Sequence, residues 1–298
     1  MELQKISKEN IFIAVFSYNR GKYLENCVQS IERNLSTENI YIYDDDSDNG
    51  GTIRILNKLS KKYFVEINRE KSRNSERGGL YFNMNRALNS AIDKNFSYIL
   101  FIQEDSQIVR KCDKLFFEEI YEIFKSDNDI VLISPLFLKN EQRNRKIRIN
   151  KNPEYYYDED VLYAGYDQGI YRVNTIKERQ WHFDNGEQAN VLKSKKLKLK
   201  YVICKNPMMM FLSNTQIRRR ESFIKSLFVK IIEFFSGMGF YPYRDILNKE
   251  VQEFLSREVA KLPFAEEYLE TKKKTRKPWK YSRSDYPFIN IYLFFKEH

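Results

Sequence analysis

The stretch "YILFIQEDSQIV", residues 98–109, decides the fold. Its first half is apolar, and four polar residues follow at once: Gln103, Glu104, Asp105 and Ser106. A short apolar run bounded by polar residues predicts a fully buried strand. Two carboxylates directly after a buried strand repel each other unless a cation or hydrogen-bond donors compensate their charge. The stretch therefore predicts a strand that delivers acids to one edge of a sheet.

Strand and helix patterns alternate on both sides of this stretch. Further buried-strand patterns occur at 11–16, 39–43, 64–68, 129–138 and 169–173. Apolar residues recur at helical spacing in 23–35, 52–63, 78–95, 114–126 and 185–198. This alternation is typical of a Rossmann-like α/β fold, in which helices cover both faces of a mostly parallel sheet.

A second strand of the predicted sheet also ends in acids. Asp44, Asp45 and Asp46 follow "NIYIY" directly. Ligands of open α/β sheets bind beyond the carboxyl ends of the strands, and carboxylate oxygens suit Mg²⁺ or Mn²⁺. The structural alternative is capping of the next helix by Ser47 or Asp48, which does not explain three successive acids. We therefore expect a ligand and metal site at this edge.

Composition bounds the class of protein. The chain has 298 residues, 42% of them hydrophobic, which predicts one domain with a sizeable core plus an extension. The net charge of +10 suits an anionic partner such as a nucleotide or an acidic membrane, or else a solvated lysine-rich surface. Cys27, Cys112 and Cys204 form no CxxC pair, which argues against a zinc site and favours a reducing, cytoplasmic setting. No apolar run has the length of a spanning helix or a signal-peptide core.

Four motifs, taken in order, resemble the GT-A fold glycosyltransferases of family 2 over roughly residues 11–210. They are "IAVFSYNRGKYLENCVQSI", "IYIYDDDSDNGGT", "GGLYFNMNRALNSAI" and "FIQEDSQIV". The resemblance implies a GT-A domain at 1–212, followed by a mainly helical basic extension at 213–298. It also implies an inverting, metal-dependent transfer of a sugar from a nucleoside-diphosphate donor, with UDP the expected nucleotide. The expected acceptor is a hydroxyl of a glycan or glycolipid in bacterial surface-polysaccharide assembly.

The same resemblance assigns roles to the acids and to the loops around them. Tyr18 is expected against the base, Asp44 as an acceptor of hydrogen bonds from the base, and Asp45 near the ribose. Asp105 matches the last acid of the Asp-x-Asp motif and is expected to bind the Mn²⁺ or Mg²⁺ that bridges the diphosphate. Gln103 stands where the motif has its first acid, which removes one formal charge. The remaining residues expected to bind the nucleotide sugar are Asn19, Gly79, Asn85 and Glu104.

The general base is expected at the start of a late helix. The segment "FDNGEQANVLKSKKLKLKYV" resembles the family's acidic pair, with Glu187 as the first acid and Gln188 in place of the second. Glu187 is the candidate base and Asp184 the reserve. The alternative is that Glu187 only stabilises the helix through its dipole. His182 either reaches the ligand or packs beside Trp181.

The extension begins with an amphipathic, basic stretch, "IRRRESFIKSLFVKIIEFFSG" at 217–237. It either lies peripherally on the anionic inner face of the cell membrane, or packs against the catalytic domain or a second subunit in a homodimer. Upstream, Tyr155, Tyr156 and Tyr157 either stack on a sugar or base or serve as packing residues.

Two other functions compete with this interpretation. A nucleotidyltransferase usually needs a glycine-rich, basic phosphate loop after the first strand, and "SYNRGK" matches this poorly. A non-enzymatic nucleic-acid-binding module would need aromatic residues interleaved with Lys and Arg on one face. The strongest motifs are acidic instead, so we expect no nucleic-acid partner.

Overall fold

A computed structural model describes residues 4–69, 79–137, 148–149, 155–157, 167–212, 215–216, 230, 233–234 and 238–255. The strands in these residues are β1 Ile11–Ser17, β2 Ile40–Asp44, β3 Phe64–Ile67, β4 Tyr98–Gln103, β5 Ser106–Ile108, β6 Ile130–Ser134, β7 Arg148–Ile149, β8 Tyr155–Tyr157, β9 Gly169–Arg172, β10 Lys200–Cys204 and β11 Met209–Phe211. The helices are α1 Gly21–Leu35, α2 Gly50–Leu59, α3 Leu80–Asp93, α4 Lys114–Ser126, α5 Val173–Glu178, α6 Glu187–Lys196 and α7 Asn248–Leu255.

Nine strands form one sheet in the order β3-β2-β1-β4-β9-β6-β10-β8-β7. Strands β8 and β9 run against the other seven, so the sheet is mostly parallel, as predicted. The reversed strand β9 lies between β4 and β6 and separates two parallel groups. Strands β5 and β11 pair antiparallel in a second, two-stranded sheet that the sequence patterns did not predict.

Helices cover both faces of the sheet, and the core follows from the alternation of side chains along the central strands. In β1, Ile13 and Val15 pack in a cluster with residues of α1, α2 and α4. Phe12 and Ala14, which point to the opposite face, pack in a cluster with residues of α3. All seven residues of β1 are buried. Full burial of such a side chain contributes roughly 1.5–3 kcal/mol, and this explains why a continuous apolar run marks each central strand.

Local hydrogen bonds set where the helices begin. Asn49 caps α2, since its side chain accepts a hydrogen bond from the backbone N–H of Thr52 at 3.0 Å. The cap is therefore neither Ser47 nor Asp48, the two residues considered from sequence. Helix α2 ends at Leu59, earlier than the periodicity predicted.

Described residues near the C-terminus pack on the domain that carries the sheet. Tyr243 and Ile246 are buried in one cluster with Val109 and other residues of the domain. Gln107 holds the backbone of Tyr243 from both sides, donating to its carbonyl at 2.8 Å and accepting from its N–H at 3.0 Å. Asp245 accepts two hydrogen bonds from the Arg33 guanidinium. Residues 238–255 thus pack on the domain that carries the sheet, whereas the choice between membrane and packing for 217–237 stays a prediction.

Other predictions about the extension fall on parts of the chain that are not described. Most of the amphipathic stretch 217–237 lies outside the described residues, as do the side chains of Tyr155 to Tyr157. The division of the chain after residue 212 stays a prediction. Across the part of the chain that the structure covers, no helix has the length and apolar character needed to cross a membrane.

Candidate active site

The acids of β2 and β4 lie at one edge of the sheet, on either side of β1. The parallel register pairs Ser17 with Asp44 and Phe16 with Gln103. The strand ends continue this pattern, because the N–H of Asp45 and the N–H of Glu104 donate to carbonyls of β1 at 2.9 Å. Neighbouring strands lie about 4.8 Å apart, so the two acidic strand ends are about 10 Å apart. The predicted convergence of carboxylates at one edge is confirmed.

Asp44 organises the turn after β2. Its carboxylate is buried and accepts hydrogen bonds from the backbone N–H and the hydroxyl of Ser47, both at 2.7 Å. Burial raises the pKa of Asp44, and the hydrogen bonds from Ser47 oppose this shift. The contact of Asp44 with a base stays a prediction.

The Asp45 side chain contacts the residue before α3 and lies near the residue after β3. Its Oδ2 accepts the backbone N–H of Gly79 at 2.7 Å. A Cβ at position 79 would overlap the Asp45 carboxylate and would lie 2.7 Å from Asn68 Nδ2, so only glycine allows this close approach. Asn68 is 4% exposed, and its Oδ1 accepts no hydrogen bond from the described residues. Asn68 was missed from sequence, although a polar residue just after a parallel strand is a usable signal.

Asn19 joins the loop after β1 to the loop after β2. Its φ is 53°, a left-handed conformation that asparagine tolerates. The N–H of Asn19 donates to Ser47 Oγ at 2.8 Å, and its side-chain oxygen accepts from the N–H groups of Asp48 and Asn49, each at 3.0 Å. Tyr18 is half-buried in the same loop. The predicted donor contacts of Tyr18 and Asn19 stay predictions.

Arg20 supplies the cation that the acids after β4 require. Its Nη1 donates to Asp105 Oδ2 at 2.8 Å and lies 3.8 Å from Glu104 Oε1. The Glu104 side chain is only 2% exposed, so this carboxylate is buried next to the Arg20 guanidinium. Arg20 also donates to the carbonyl of Gln216. Sequence reasoning did not single out Arg20, because an arginine in a polar turn ordinarily indicates a solvated loop.

The carboxylate of Asp105 fits a divalent cation. Asp105 and Glu104 bring two carboxylates to the end of β4, and carboxylate oxygens are the ligands that Mg²⁺ and Mn²⁺ prefer. No group of three His, Cys, Asp or Glu side chains suited to a metal occurs within the described ranges. Mg²⁺ is commonly held by one or two carboxylates together with substrate phosphates. The metal role of Asp105 and the donor role of Glu104 stay predictions.

A further carboxylate, Asp167, lies beside the metal motif, that is, residues 103–105, which correspond to Asp-x-Asp. The side-chain amide of Gln103 donates to Asp167 Oδ2 at 2.7 Å. Burial raises the pKa of Asp167 to about 6, and the carboxylates of Glu187 and then Asp105 raise it as well. Asp167 is therefore within electrostatic reach of both the candidate base and the candidate metal ligand. No sequence motif pointed to it.

Glu187 and Asp184 differ in their surroundings. Glu187 is exposed and is the first residue of α6, which agrees equally with a base and with a residue stabilising the helix dipole. Asp184 is paired with Lys193 Nζ and His182 Nε2, each at 3.3 Å. Of the two alternatives for His182, its exposure disfavours packing beside Trp181, and contact with the ligand stays a prediction. The catalytic roles of Glu187 and Asp184 stay predictions.

Asn85 connects α3 to the segment that precedes α6. Its amide nitrogen donates to the carbonyl of Phe183 at 2.9 Å, and its amide oxygen accepts the N–H of Phe183 at 2.8 Å. These hydrogen bonds position the backbone just before Asp184. A direct contact of Asn85 with the donor stays a prediction.

This fold, with acids at the carboxyl edge of the sheet, defines the GT-A class of glycosyltransferases. The family model described as Glycosyl transferase family 2 matches residues 12–213, more than half of the chain, and the protein belongs to this family. It is a glycosyltransferase. No curated protein matches the chain.

Solved structures resemble the chain at low identity. TarS 1-349 of S. aureus is 14% identical, with a TM-score of 0.48, over 83% of this chain and 69% of that one. A mannosyltransferase, PcManGT from Pyrobaculum calidifontis in complex with GDP-Man and Mn²⁺, is 10% identical, with a TM-score of 0.42, over 76% of this chain and 61% of that one. GalNAc-T7 with UDP, GalNAc and Mn²⁺ is 13% identical, with a TM-score of 0.48, over 76% of this chain and 48% of that one. At these scores the likenesses identify neither a substrate nor a metal for this chain.

Proposed function

We propose that the site transfers a sugar, with inversion, from a nucleoside-diphosphate donor to a hydroxyl of a glycan or glycolipid acceptor. The observation that carries the proposal is the set of acids around one sheet edge. Asp44 and Asp45 lie on one side of β1 and Asp105 on the other. Glu187 opens α6 within electrostatic reach of the same edge through Asp167. Asp44 and Asp45 form the nucleotide side of the site, Asp105 the diphosphate side and Glu187 the acceptor side.

The nucleotide binds at the ends of β2 and β3. Asp45, Gly79 and Asn68 are in contact there. The buried Oδ1 of Asn68, which accepts no hydrogen bond from the described residues, is an acceptor suited to an N–H group of a base. UDP is the nucleotide we expect, and the ring N–H of uracil is able to donate such a hydrogen bond. Tyr18 stacks on the base, and Asp45 accepts from the ribose hydroxyls.

The diphosphate binds at the end of β4. Asp105 would hold Mn²⁺ or Mg²⁺ there, and the bound cation would act as a Lewis acid for the departing nucleoside diphosphate. Arg20 keeps the Asp105 side chain in place, because its guanidinium donates to one oxygen of that carboxylate. Arg20 is also a second positive charge beside the phosphates.

Glu187 takes the proton of the acceptor hydroxyl as the acceptor oxygen attacks the anomeric carbon. The carbon–oxygen bond to the diphosphate breaks on the opposite face, so the configuration inverts. General-base catalysis needs a carboxylate that an acceptor can reach, and Glu187 is exposed. Asp184 suits this role less well, because Lys193 and His182 already pair with it.

The setting of the reaction is also part of the proposal. The chain spans 48–69% of the length of the solved structures compared, so the acceptor and partners of the whole protein are proposals. We place the reaction in the assembly of bacterial surface polysaccharide, at the cytoplasmic face of the membrane. The net charge of +10 suits an anionic surface.

Calorimetric titration of the purified protein with UDP-N-acetylglucosamine, UDP-glucose, UDP-galactose and GDP-mannose tests the proposal. Each donor is titrated with Mn²⁺ and again with EDTA. We expect one UDP-sugar to bind in the presence of Mn²⁺, to bind more weakly with EDTA, and to release UDP slowly by hydrolysis. The variant Asp105→Asn should lose the response to Mn²⁺, whereas Asp93→Asn, at an exposed acid ending α3, should keep it. Absence of binding by every donor would overturn the proposed function.

A further inference from the structure

The metal motif lacks its first acid, and Gln103 stands there as the last residue of β4. Gln103 is buried and carries no charge. A neutral amide cannot accept hydrogen bonds from sugar hydroxyls as strongly as a carboxylate does, because hydrogen bonds to charged groups contribute about twice as much as neutral ones. The question is whether another side chain supplies the missing carboxylate.

The reversed strand β9 brings one to this position. The register pairs Phe101 of β4 with Gly169 of β9. Because the two strands run antiparallel, the residues just before β9 lie at the edge where β4 ends. Two residues further along this register, Gln103 faces Asp167, and the Gln103 amide donates to Asp167 Oδ2 at 2.7 Å. A parallel strand at this place would have delivered its end residues to the edge instead.

The next residue holds Asp167 in this position. Gln168 is 1% exposed, and its Oε1 accepts a hydrogen bond from the Ser106 hydroxyl at 2.7 Å. Ser106 directly follows Asp105, so the entry to β9 is attached to the metal motif at both of its ends, at Gln103 and at Ser106. The hydrogen bond from Gln103 orients the Asp167 side chain, and the hydrogen bond from Ser106 fixes the neighbouring residue Gln168.

Asp167 is hydrogen-bonded to the last residue of β4, the strand whose end forms the proposed diphosphate side. Its carboxylate interacts with those of Glu187 and Asp105. Arg20 pairs with Asp105, whereas in the described part of the chain no Lys or Arg forms an ion pair with Asp167. In an inverting transfer the sugar occupies the space between the leaving diphosphate and the base. A carboxylate beside that space, with one oxygen held by Gln103, suits neutral hydroxyl donors.

We propose that Asp167, held by Gln103, accepts hydrogen bonds from hydroxyl groups of the transferred sugar and takes the place of the acid that the motif lacks. Asp167 is then a donor-sugar residue, distinct from the nucleotide-binding acids after β2. This inference rests on the proposed function. It assigns recognition of the sugar part of the donor to a residue on the entry to β9.

The variant Asp167→Asn separates this role from a structural one. Asparagine has the same shape and still accepts the hydrogen bond from Gln103, but it loses the charge. Calorimetry with Mn²⁺ compares the four donors UDP-N-acetylglucosamine, UDP-glucose, UDP-galactose and GDP-mannose with UDP and GDP alone. We expect the affinity for the donor that wild type binds to fall about ten- to a hundredfold, while the affinity for its nucleoside diphosphate is unchanged. Asp93→Asn, at an exposed acid, should change neither value.

The double variant Gln103→Glu/Asp167→Asn provides a rescue. It exchanges the amide and the carboxylate across the same hydrogen bond and should recover most of the lost donor affinity. An equal loss for donor and nucleoside diphosphate in Asp167→Asn would overturn the inference and assign Asp167 to the metal or diphosphate. An unchanged donor affinity would also overturn it. If wild type binds none of these nucleotides or donors, the proposed function fails, and this inference fails with it.

Discussion

At the scale of single residues, the site depends on how its carboxylates are compensated. Arg20 lies against Asp105 and Glu104, and Gln103 holds Asp167. The five acids at the ends of β2 and β4 would repel one another without such partners. A guanidinium, an amide and the Ser47 hydroxyl therefore lie against carboxylates of the site. Two predictions follow from particular residues.

Replacement of Arg20 by methionine should destabilise the protein strongly. The guanidinium is nearly buried, and its removal leaves two carboxylates without their cation. Breaking a buried ion pair from one side costs about 3–5 kcal/mol. Urea unfolding at pH 7 measures the change in the free energy of unfolding. Addition of Mn²⁺ with UDP should recover part of the loss, because a bound cation would compensate the same acids.

Arg33→Met is the matched control for Arg20. Arg33 pairs with Asp245 at 2.6 Å, but about half of its side chain is exposed. Exposed pairs contribute under about 1 kcal/mol. Equal losses in the two variants would show that Arg20 has no special electrostatic role.

The pKa of Asp167 predicts a pH dependence of stability. Its pKa is raised from 3.8 to about 6 in the folded protein, chiefly by burial. A raised carboxyl pKa means that the folded state holds the proton more tightly than the unfolded state. The contribution of Asp167 to stability is therefore fully present below about pH 4 and is lost as the pH rises to about 6.

Asp167→Asn should remove this part of the pH dependence and should make the protein more stable than wild type at pH 7. Urea unfolding of both proteins at several pH values between 4 and 7 measures how the free energy of unfolding depends on pH. If this free energy changed with pH in parallel for the two proteins, the prediction would be contradicted. A variant less stable than wild type at pH 7 would do so as well.

At the scale of secondary-structure elements, the start of α6 positions the candidate base. Gly186 precedes Glu187 with a φ of 124°, which glycine adopts without strain. The Asn190 side chain bonds to the backbone of Asp184 and Gly186 and fixes the approach to the helix. The position of Glu187 is thus set by hydrogen bonds of the backbone around it. Strand β9 positions Asp167 in a similar way, because its antiparallel direction brings the residues before it to the edge where β4 ends.

Glu187→Gln should lower turnover by about 10²- to 10⁴-fold, because general-base catalysis contributes about that factor. The donor affinity should stay close to that of wild type, since glutamine keeps the shape of the side chain. Steady-state kinetics with the donor found by titration, together with calorimetry, measures both quantities.

Asp184→Asn is the control for Glu187, and we expect a smaller loss because Asp184 pairs with Lys193 and His182. A large loss in the control with none in Glu187→Gln would reverse the two roles. A loss of donor binding in Glu187→Gln would indicate a structural role at the start of α6.

At the scale of the whole molecule, the described part of the extension behaves as part of the catalytic domain. The Tyr23 hydroxyl donates to the Gly239 carbonyl at 2.6 Å, and the N–H of Ile246 donates to the carbonyl of Val109. Tyr23 belongs to α1, the helix that follows the loop of Arg20. The extension therefore supports the element next to the site, and residues 238–255 should unfold together with the sheet.

Ile246→Ala should reduce the free energy of unfolding by about 2–5 kcal/mol, the usual cost of such a truncation in a core. Leu247→Ala is the matched control, since Leu247 is 54% exposed and its truncation should cost under about 0.5 kcal/mol. Urea unfolding should show a single transition in both variants. A separate early transition for Ile246→Ala would contradict the idea of one cooperative unit.

Much of the fold was predictable because its signals are local. Helix α4 was predicted at its observed bounds, and β1 and β4 were predicted within one residue, since an apolar run or a 3.6-residue period is written in consecutive residues. The acids after β2 and β4 were also expected at one edge, because parallel strands end on the same side. The short strands β5 and β11 were not predicted, since three residues carry too little periodicity.

By itself, the sequence determined the α/β class, the order of the central elements and the edge at which the acids converge. Only the tertiary structure decided which side chains meet those acids. Asp167 reaches Gln103 across 64 residues of chain, and Asp245 reaches Arg33 across 212. Such partners depend on strand direction and on packing between distant elements. Local composition does not encode these properties, because a reversed strand and a parallel strand have the same apolar pattern.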